Sequence, residues 1–171
     1  MNSIELLGGG KIRLMSGRVV GLAPNYLHAE VFADHYEVSS RDSHGRISVV
    51  SRDGSSGAIR WQLLRAENSV AGVEDSGFSL KTPQGVVRFP RPIVSVLEIA
   101  SRYVVVLKML GNDLNPVLCF DSSGHELWNC AGYFHDLAPG DGKTYVTGFQ
   151  GDSTFRIDLA TGAKSHGVMA K

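Results

Sequence analysis

Residues 92–130 hold four short apolar runs separated by tight turns, and this stretch limits the fold more than any other part of the chain. The first two runs, 93–100 and 103–110, are rich in Val, Ile and Leu and are separated by two residues. A connection that short cannot cross over a sheet, so the two runs predict an antiparallel hairpin. Turns rich in Gly, Asn, Asp and Ser precede two further runs, 116–120 and 126–130. We therefore predict four antiparallel strands in this stretch.

A glycine followed four residues later by an aromatic residue recurs along the chain. The copies are Gly57 to Trp61, Gly85 to Phe89, Gly124 to Trp128 and a weaker one, Gly162 to His166. Each follows a strand-like run and a polar turn, so each predicts a hairpin. The glycine would take a positive-φ turn position, and the aromatic would pack in the core between neighbouring units. The last two glycine spacings, 39 and 38 residues, approach the period of about 40–45 residues known for four-stranded propeller blades.

These signals divide the chain into strand units within one predicted domain, residues 1–171. The predicted parts are an N-terminal hairpin, 1–15, and units at about 19–64, 69–90, 92–130 and 132–166. Unit 69–90 has room for only two or three strands. The hairpin is predicted to pair with the terminal strands, 133–166, and so to cover an exposed sheet edge. Helical periodicity is sustained nowhere, so the sequence predicts an all-β protein.

Two segments carry a resemblance to known propeller repeats. VLCFDSSGHELW and TFRIDLATGAKSH resemble the strand-turn-strand signature of quinoprotein-like and WD-like repeats, in which a strand ends in Asp and a Gly-containing turn and an aromatic residue follow. The resemblance implies a small or incomplete β-propeller of about four antiparallel blades. Similar hairpins occur in β-sandwiches, which remain the alternative fold. The cofactor ligands of quinoproteins have no counterpart here, so we predict no cofactor.

Charge and cysteine content narrow the classes of partner. Lys plus Arg number 17 and Asp plus Glu number 17, with no block of like charge. This balance argues against a nucleic-acid partner and against a membrane surface. The start, MNSIELLGGGKIRL, lacks the features of a secretory signal, so we predict a cytoplasmic protein. Its two cysteines, Cys119 and Cys130, are then expected to be reduced and packed.

No catalytic or metal site can be assembled from the sequence. The densest group of potential metal ligands is His28, Asp34, His35, Asp42 and His44. His28 and His35 are seven residues apart, which would place them on opposite faces of one continuous strand, so we predict no metal site. No Gly-x-Ser-x-Gly nucleophile motif is present, and we predict that the protein is not an enzyme.

Loops are the best candidates for recognition. In a propeller, the loops that join the second and third strands of each blade lie on one face; here they would be 41–45, 111–115 and 150–153. Their polar side chains form the predicted partner-binding set: Arg41, Asp42, His44, Asn112, Asp113, Asn115, Gln150 and Asp152.

The sequence therefore predicts a non-enzymatic protein-binding module whose partner is another protein. A narrower hypothesis is an immunity-type protein that neutralises a cognate bacterial toxin. The alternative is a carbohydrate or small-ligand binding protein, or a glycan-acting enzyme, that uses aromatic, Asp and His side chains in a propeller mouth. A structural repeat fragment of a larger assembly is a third hypothesis.

Overall fold

The computed structural model is built almost entirely from β-strands. It describes residues 3–111, 115–132, 136–140, 145–150 and 153–166. Within these ranges it has eighteen β-strands, one short 3-10 turn at Asp75–Gly77 and no α-helix, and the strand pairs below are antiparallel. The predicted all-β class is confirmed. The chain divides into two compact units, an N-terminal unit of residues 1–68 and a C-terminal unit of residues 69–171.

The N-terminal unit contains seven strands. They are β1 (Glu5–Leu7), β2 (Lys11–Arg13), β3 (Val19–Gly21), β4 (Tyr26–Val31), β5 (His35–Arg41), β6 (Ile47–Asp53) and β7 (Ile59–Arg65). Strands β1 to β3 pair in sequence order, and so do β4 to β7. The predicted N-terminal hairpin is therefore present, but it gains β3, which the sequence had assigned to the following unit. Its predicted pairing with residues 133–166 would join the two units and stays a prediction.

Three side chains from the first fifteen residues hold this small sheet in place. Ile4, Ile12 and Leu14 are buried in one cluster with Ala29 and Tyr36 from β4 and β5. In β2 the one apolar residue, Ile12, is buried between exposed Lys11 and Arg13, as expected for a strand with one covered face.

The strand-like pattern of residues 29–39 is continuous in the sequence, yet these residues belong to two strands. Strand β4 ends at Val31 and β5 begins at His35, and the Phe32 amide donates to the His35 carbonyl at 2.9 Å across the turn. The Phe32 ring stacks on the His35 imidazole with a centroid distance of 4.4 Å. Because an aromatic residue occupies the turn, the apolar pattern runs through it and hides the reversal.

The C-terminal unit contains the other eleven strands. They are β8 (Gly72–Glu74), β9 (Ser79–Thr82), β10 (Gly85–Arg88), β11 (Ile93–Ile99), β12 (Arg102–Leu107), β13 (Asn115–Asp121), β14 (Glu126–Gly132), β15 (Asp136–Pro139), β16 (Tyr145–Gln150), β17 (Ser153–Asp158) and β18 (Lys164–His166). They pair consecutively in three groups, β8–β10, β11–β14 and β15–β18. The short group 69–90 and both four-stranded groups match their predicted strand numbers. The arrangement of blades around an axis stays a prediction.

Strand β12 is the most buried element of the described chain. All residues from Tyr103 to Leu107 are at most 3% exposed. A strand covered on both faces reads as a continuous apolar run, which is the pattern that made residues 92–130 prominent in the sequence.

Three hairpins close on the same turn chemistry. The preceding strand ends in Asp, whose Oδ1 accepts hydrogen bonds from turn amides and from a Ser or Thr hydroxyl, and a glycine with φ between 74° and 87° completes the turn. The Asp and Gly pairs are Asp53 with Gly57, Asp121 with Gly124, and Asp158 with Gly162. The predicted role of these glycines is confirmed.

The Gly85 copy of the repeat differs. Gly85 does not have a positive φ. It pairs with Thr82 between β9 and β10, so Pro83 and Gln84 form the turn. The prediction of a positive φ at Gly85 is therefore wrong, because a two-residue loop leaves no turn position for it.

The aromatic residues of the repeat pack inside the protein, as predicted. Trp61, Phe89 and Trp128 are 6%, 8% and 8% exposed. Trp128 reaches the next group of strands, where its Nε1 donates to the Leu159 carbonyl at 2.8 Å. Phe89 meets Phe120 edge to face with centroids 5.6 Å apart.

Candidate protein-binding surface

The turn between β5 and β6 is ordered by one carboxylate. Asp42 Oδ1 accepts the amides of His44 and Arg46, each at 2.9 Å, and Oδ2 accepts Arg46 Nε at 2.7 Å. The Gly45 amide returns to the Asp42 carbonyl at 3.2 Å. Partial burial acts to raise the pKa of Asp42, but the hydrogen bonds from Arg46 and His44 hold it below its ordinary value. Asp42 thus builds the turn, and its two oxygens are occupied.

Two predicted contact residues flank this carboxylate. Arg41 is exposed, and its guanidinium pairs with exposed Glu67, while the Arg41 carbonyl accepts Asn25 Nδ2 at 3.0 Å. His44 is exposed at the tip of the turn, with Ser43 Oγ 3.3 Å from its Nδ1. An exposed ion pair of this kind contributes little stability, so Arg41 is available to exchange Glu67 for a partner carboxylate.

The connection between β12 and β13 is the second predicted loop. Four of its residues, 108–111, are all exposed, after a strand that is buried from Tyr103 to Leu107. Met109 is 39% and Leu110 is 51% exposed. The predicted residues Asn112 and Asp113 lie outside the described residues, and Asn115 is the first residue of β13.

The third predicted loop joins β16 and β17. Gln150 ends β16 and pairs with Ser153, which begins β17. These two residues enclose a two-residue connection, and Asp152 in it lies outside the described residues. The backbone therefore places Gln150 at a hairpin end, as the sequence predicted.

Sequence reasoning missed Met109 and Leu110 as surface residues. The apolar run 103–110 predicted a strand to its end, whereas β12 stops at Leu107. The signal that could have found them is Lys108, which interrupts the run immediately before the exposed pair. Both side chains are apolar and are exposed instead of packed in the core.

Two of the His and Asp residues that suggested metal ligands, Asp34 and His35, belong to an ion-pair network. His35 Nδ1 lies 2.7 Å from Asp34 Oδ1, and Arg60 Nη2 lies 2.9 Å from Asp34 Oδ2. These contacts hold the pKa of Asp34 at about 2. His28 belongs to β4 and His35 to β5, so the spacing argument for a single strand did not apply. Within the described ranges, no three His, Cys, Asp or Glu side chains are placed to hold a metal ion.

Cys119 and Cys130 are both reduced thiols. Burial raises the pKa of Cys119 to about 11 and also raises that of Cys130. Neither thiol is poised as a nucleophile, because the thiolate is the reactive form.

Comparisons with known proteins give no family. No protein-family model matches the chain, and no curated protein matches it. Among solved structures, the chain is similar to BamB from Moraxella catarrhalis, with 14% identity and a TM-score of 0.37. The match covers 95% of this chain and 45% of that chain, so this chain spans less than half of that protein's length. We draw no conclusion about function from a likeness of this degree. In the described part of the chain, no helix has the length and apolar character needed to cross a bilayer.

Proposed function

We propose that the protein is a non-enzymatic module that binds another protein. The binding loops are those that join the second and third strands of each four-stranded group, such as β5 to β6 and β12 to β13. The observation that carries the proposal is the exposed pair Met109 and Leu110, which directly follows the most buried strand. Methionine is enriched at protein interfaces, where its flexible thioether adapts to a partner. An adjacent exposed pair at a loop tip provides an anchor that isolated surface side chains do not.

The turn at residues 41–46 supports the same proposal within the N-terminal unit. It is held rigid by Asp42, and it displays Arg41 and His44. A turn that is ordered before binding loses little conformational freedom on association, and arginine is enriched at interfaces.

The alternative of a ligand site built from the repeat aromatics has less support. Trp61, Phe89 and Trp128 are all at least 92% buried, so they offer no open platform for a sugar ring. A different polar groove in the N-terminal unit is considered below.

Site-directed photo-crosslinking in the cells of origin tests the proposal. A photo-reactive amino acid is placed at Leu110 or, as the control, at Val86, which is equally exposed at 51%. We expect a discrete protein adduct from position 110 that is weakened by the neighbouring substitution Met109→Ser, and none from position 86. Adducts of equal yield at both positions, or none at position 110, would contradict the proposal.

The narrower form of the proposal is a cytoplasmic immunity-type protein that neutralises a bacterial toxin. Coexpression with the product of the adjacent gene should restore growth if that product is the toxin. The double substitution M109S/L110S should abolish the rescue while V86S retains it. If the wild-type chain does not relieve the growth arrest, the immunity-type function is wrong. The broader proposal of protein binding, which crosslinking tests, is unaffected by that outcome.

A further inference from the structure

A groove of about 370 Å³ opens in the N-terminal unit over the sheet face formed by β5 and β6. Its floor follows the strand register, with Tyr36 opposite Arg52 and Val38 opposite Val50. Residues 18–23, which include β3, form the wall. Along its length the floor thus changes from the polar row of Tyr36 and Arg52 to the apolar row of Val38 and Val50, and Ser40 lines it beyond.

Two guanidinium groups lie at the polar end. Arg18 Nη2 donates to the Ser56 carbonyl at 2.6 Å, and Arg52 Nη1 donates to the Gly57 carbonyl at 2.9 Å. The Tyr36 hydroxyl lies at the same end of the groove. Both groups are close to Gly57, because a Cβ added there would be 3.1 Å from Arg18 Nη2 and 3.8 Å from the Tyr36 hydroxyl oxygen. The turn carbonyls therefore hold both arginines beside one hydroxyl donor.

No acidic side chain lines this groove. Among the described residues, neither Arg18 nor Arg52 lies within ion-pair distance of a carboxylate. A guanidinium carries five N–H donors, and each of these groups uses one of them on a turn carbonyl. Burial raises the pKa of Tyr36 and the two arginines act to lower it, so both charges act on its hydroxyl. Paired positive charge with unused donors is the recognition chemistry for an oxyanion.

We propose that this groove binds a small oxyanion that carries a short apolar body. The carboxylate or phosphate head binds Arg18, Arg52 and the Tyr36 hydroxyl, and the apolar body lies over Val38 and Val50. The volume is within the range of about 300–1,000 Å³ typical of small-molecule sites. None of the residues that line the groove belongs to the loops of the protein-binding proposal, and the groove proposal does not depend on it.

Amide chemical-shift titration of the full chain tests the site with three six-carbon probes. Hexanoate and hexyl phosphate carry the two head groups, and hexanol is the neutral control of equal length. We expect at least one anion to give saturable shifts at residues 18–23 and Gly57, with affinity at least about tenfold above that of hexanol. The tighter anion identifies the head group. Equal affinity for hexanol, or shifts of both anions that do not saturate at these residues, would overturn the proposal.

Substitutions then separate the two arginines from general charge. R18M and R52M each keep an apolar stem and should weaken the anion at least about fivefold, because each removes charged donors. K11M removes one exposed positive charge from the same unit, outside the groove lining, and should leave the affinity unchanged. R18K and R52K keep the charge without the planar fork, and should give intermediate losses in folded protein even if a methionine variant fails to fold. Equal weakening by K11M and the arginine variants would show nonspecific attraction and overturn the site.

Discussion

At the scale of single residues, turn glycines differ in what surrounds them. Gly162 and Gly45 have nearly the same backbone, with φ of 74° and 78°. A Cβ added at Gly162 would lie 2.6 Å from Trp128 Cδ2, whereas one at Gly45 would meet nothing within 4 Å. The first glycine is required by both its conformation and its packing, and the second by its conformation alone.

This difference predicts unequal costs for the same substitution. Gly45→Ala should lower the free energy of unfolding by about 1 kcal/mol, which is the cost of the left-handed conformation. Gly162→Ala adds a clash with a buried indole and should cost about 1–3 kcal/mol more. Thermal and urea unfolding of both variants measure the difference. Equal losses would show that the Trp128 contact does not restrict position 162.

The strand-terminal aspartates predict the response to acid. Hydrogen bonds from Thr161 and Ala160 hold the pKa of Asp158 below its ordinary value, and turn hydroxyls and amides do the same for Asp53 and Asp121. A carboxylate with a lowered pKa in the folded state contributes stability that is present above about pH 4 and is lost as the pH falls through the folded value. The melting temperature should therefore decrease as the pH is lowered below about 4.

Asp158→Asn checks the origin of this fall. At pH 7 the variant should melt at a lower temperature than the wild type, because the amide is a weaker acceptor for Thr161 and Ala160. As the pH falls through the lowered pKa of Asp158, the two melting temperatures should converge, since the wild-type carboxyl becomes neutral. Parallel pH profiles would indicate that this turn carboxylate is not the titrating group.

At the scale of elements, one turn carbonyl connects two groups of strands in the C-terminal unit. Leu159, which follows β17, accepts Trp128 Nε1 from β14 at 2.8 Å and Arg102 Nη1 from β12 at 2.6 Å. A related contact joins β9 to the β13–β14 turn, where Thr82 Oγ1 donates to the Ser122 carbonyl at 3.1 Å. The turns of one group thus serve as acceptors for donors from the preceding group.

A double-mutant cycle on the Leu159 carbonyl tests this connection. Trp128→Phe should cost about 1 kcal/mol and Arg102→Met about 1.5–3 kcal/mol, in line with a neutral and a charged donor. The double variant should cost more than the two together, because only then does a buried carbonyl lose both donors. Strictly additive losses in urea unfolding would refute a shared acceptor.

At the scale of the whole molecule, the first fifteen residues complete the core of the N-terminal unit. Ile12 is fully buried, while Leu6, its cross-strand neighbour, is 53% exposed. Lys11 and Arg13, which flank Ile12 in β2, are exposed, so the small β1–β3 sheet covers the Ile12 face with the core and leaves the opposite face in solvent.

Deletion of residues 1–15 should remove much of the thermal stability, because it takes three buried side chains from one cluster. Ile12→Ala should cost about 2–5 kcal/mol, and Leu6→Ala in the same pair should stay within about 0.5 kcal/mol. Calorimetry on the two substitutions gives the comparison. An unchanged melting temperature after the deletion would exclude a structural role for this segment.

How far the sequence predicts the fold depends on where the determining contacts lie. The strands of 92–130 were predictable because local apolar runs and turn residues specify them. The β11–β12 turn was displaced by one residue: it is Ala100–Ser101, with φ of 48° and 60° and no glycine. The buried strands on either side impose this turn, and its residues do not. The exposed Met109 and Leu110 were hidden for a similar reason, because periodicity does not show where a strand stops.

By itself, the sequence determined the all-β class and the hairpins that end in Asp and Gly, because neighbours in the chain make those contacts. The spacing from glycine to aromatic residue also predicted which aromatic side chains are buried, although distant residues cover them. Only the tertiary structure decided which turn carbonyls accept distant donors and which apolar side chains stay exposed. The placement of Arg18 and Arg52 in one groove belongs to this second class. Arg52 contacts a carbonyl 5 positions away, whereas Arg18 contacts the Ser56 carbonyl 38 positions away, and no local pattern encodes a contact over the longer distance.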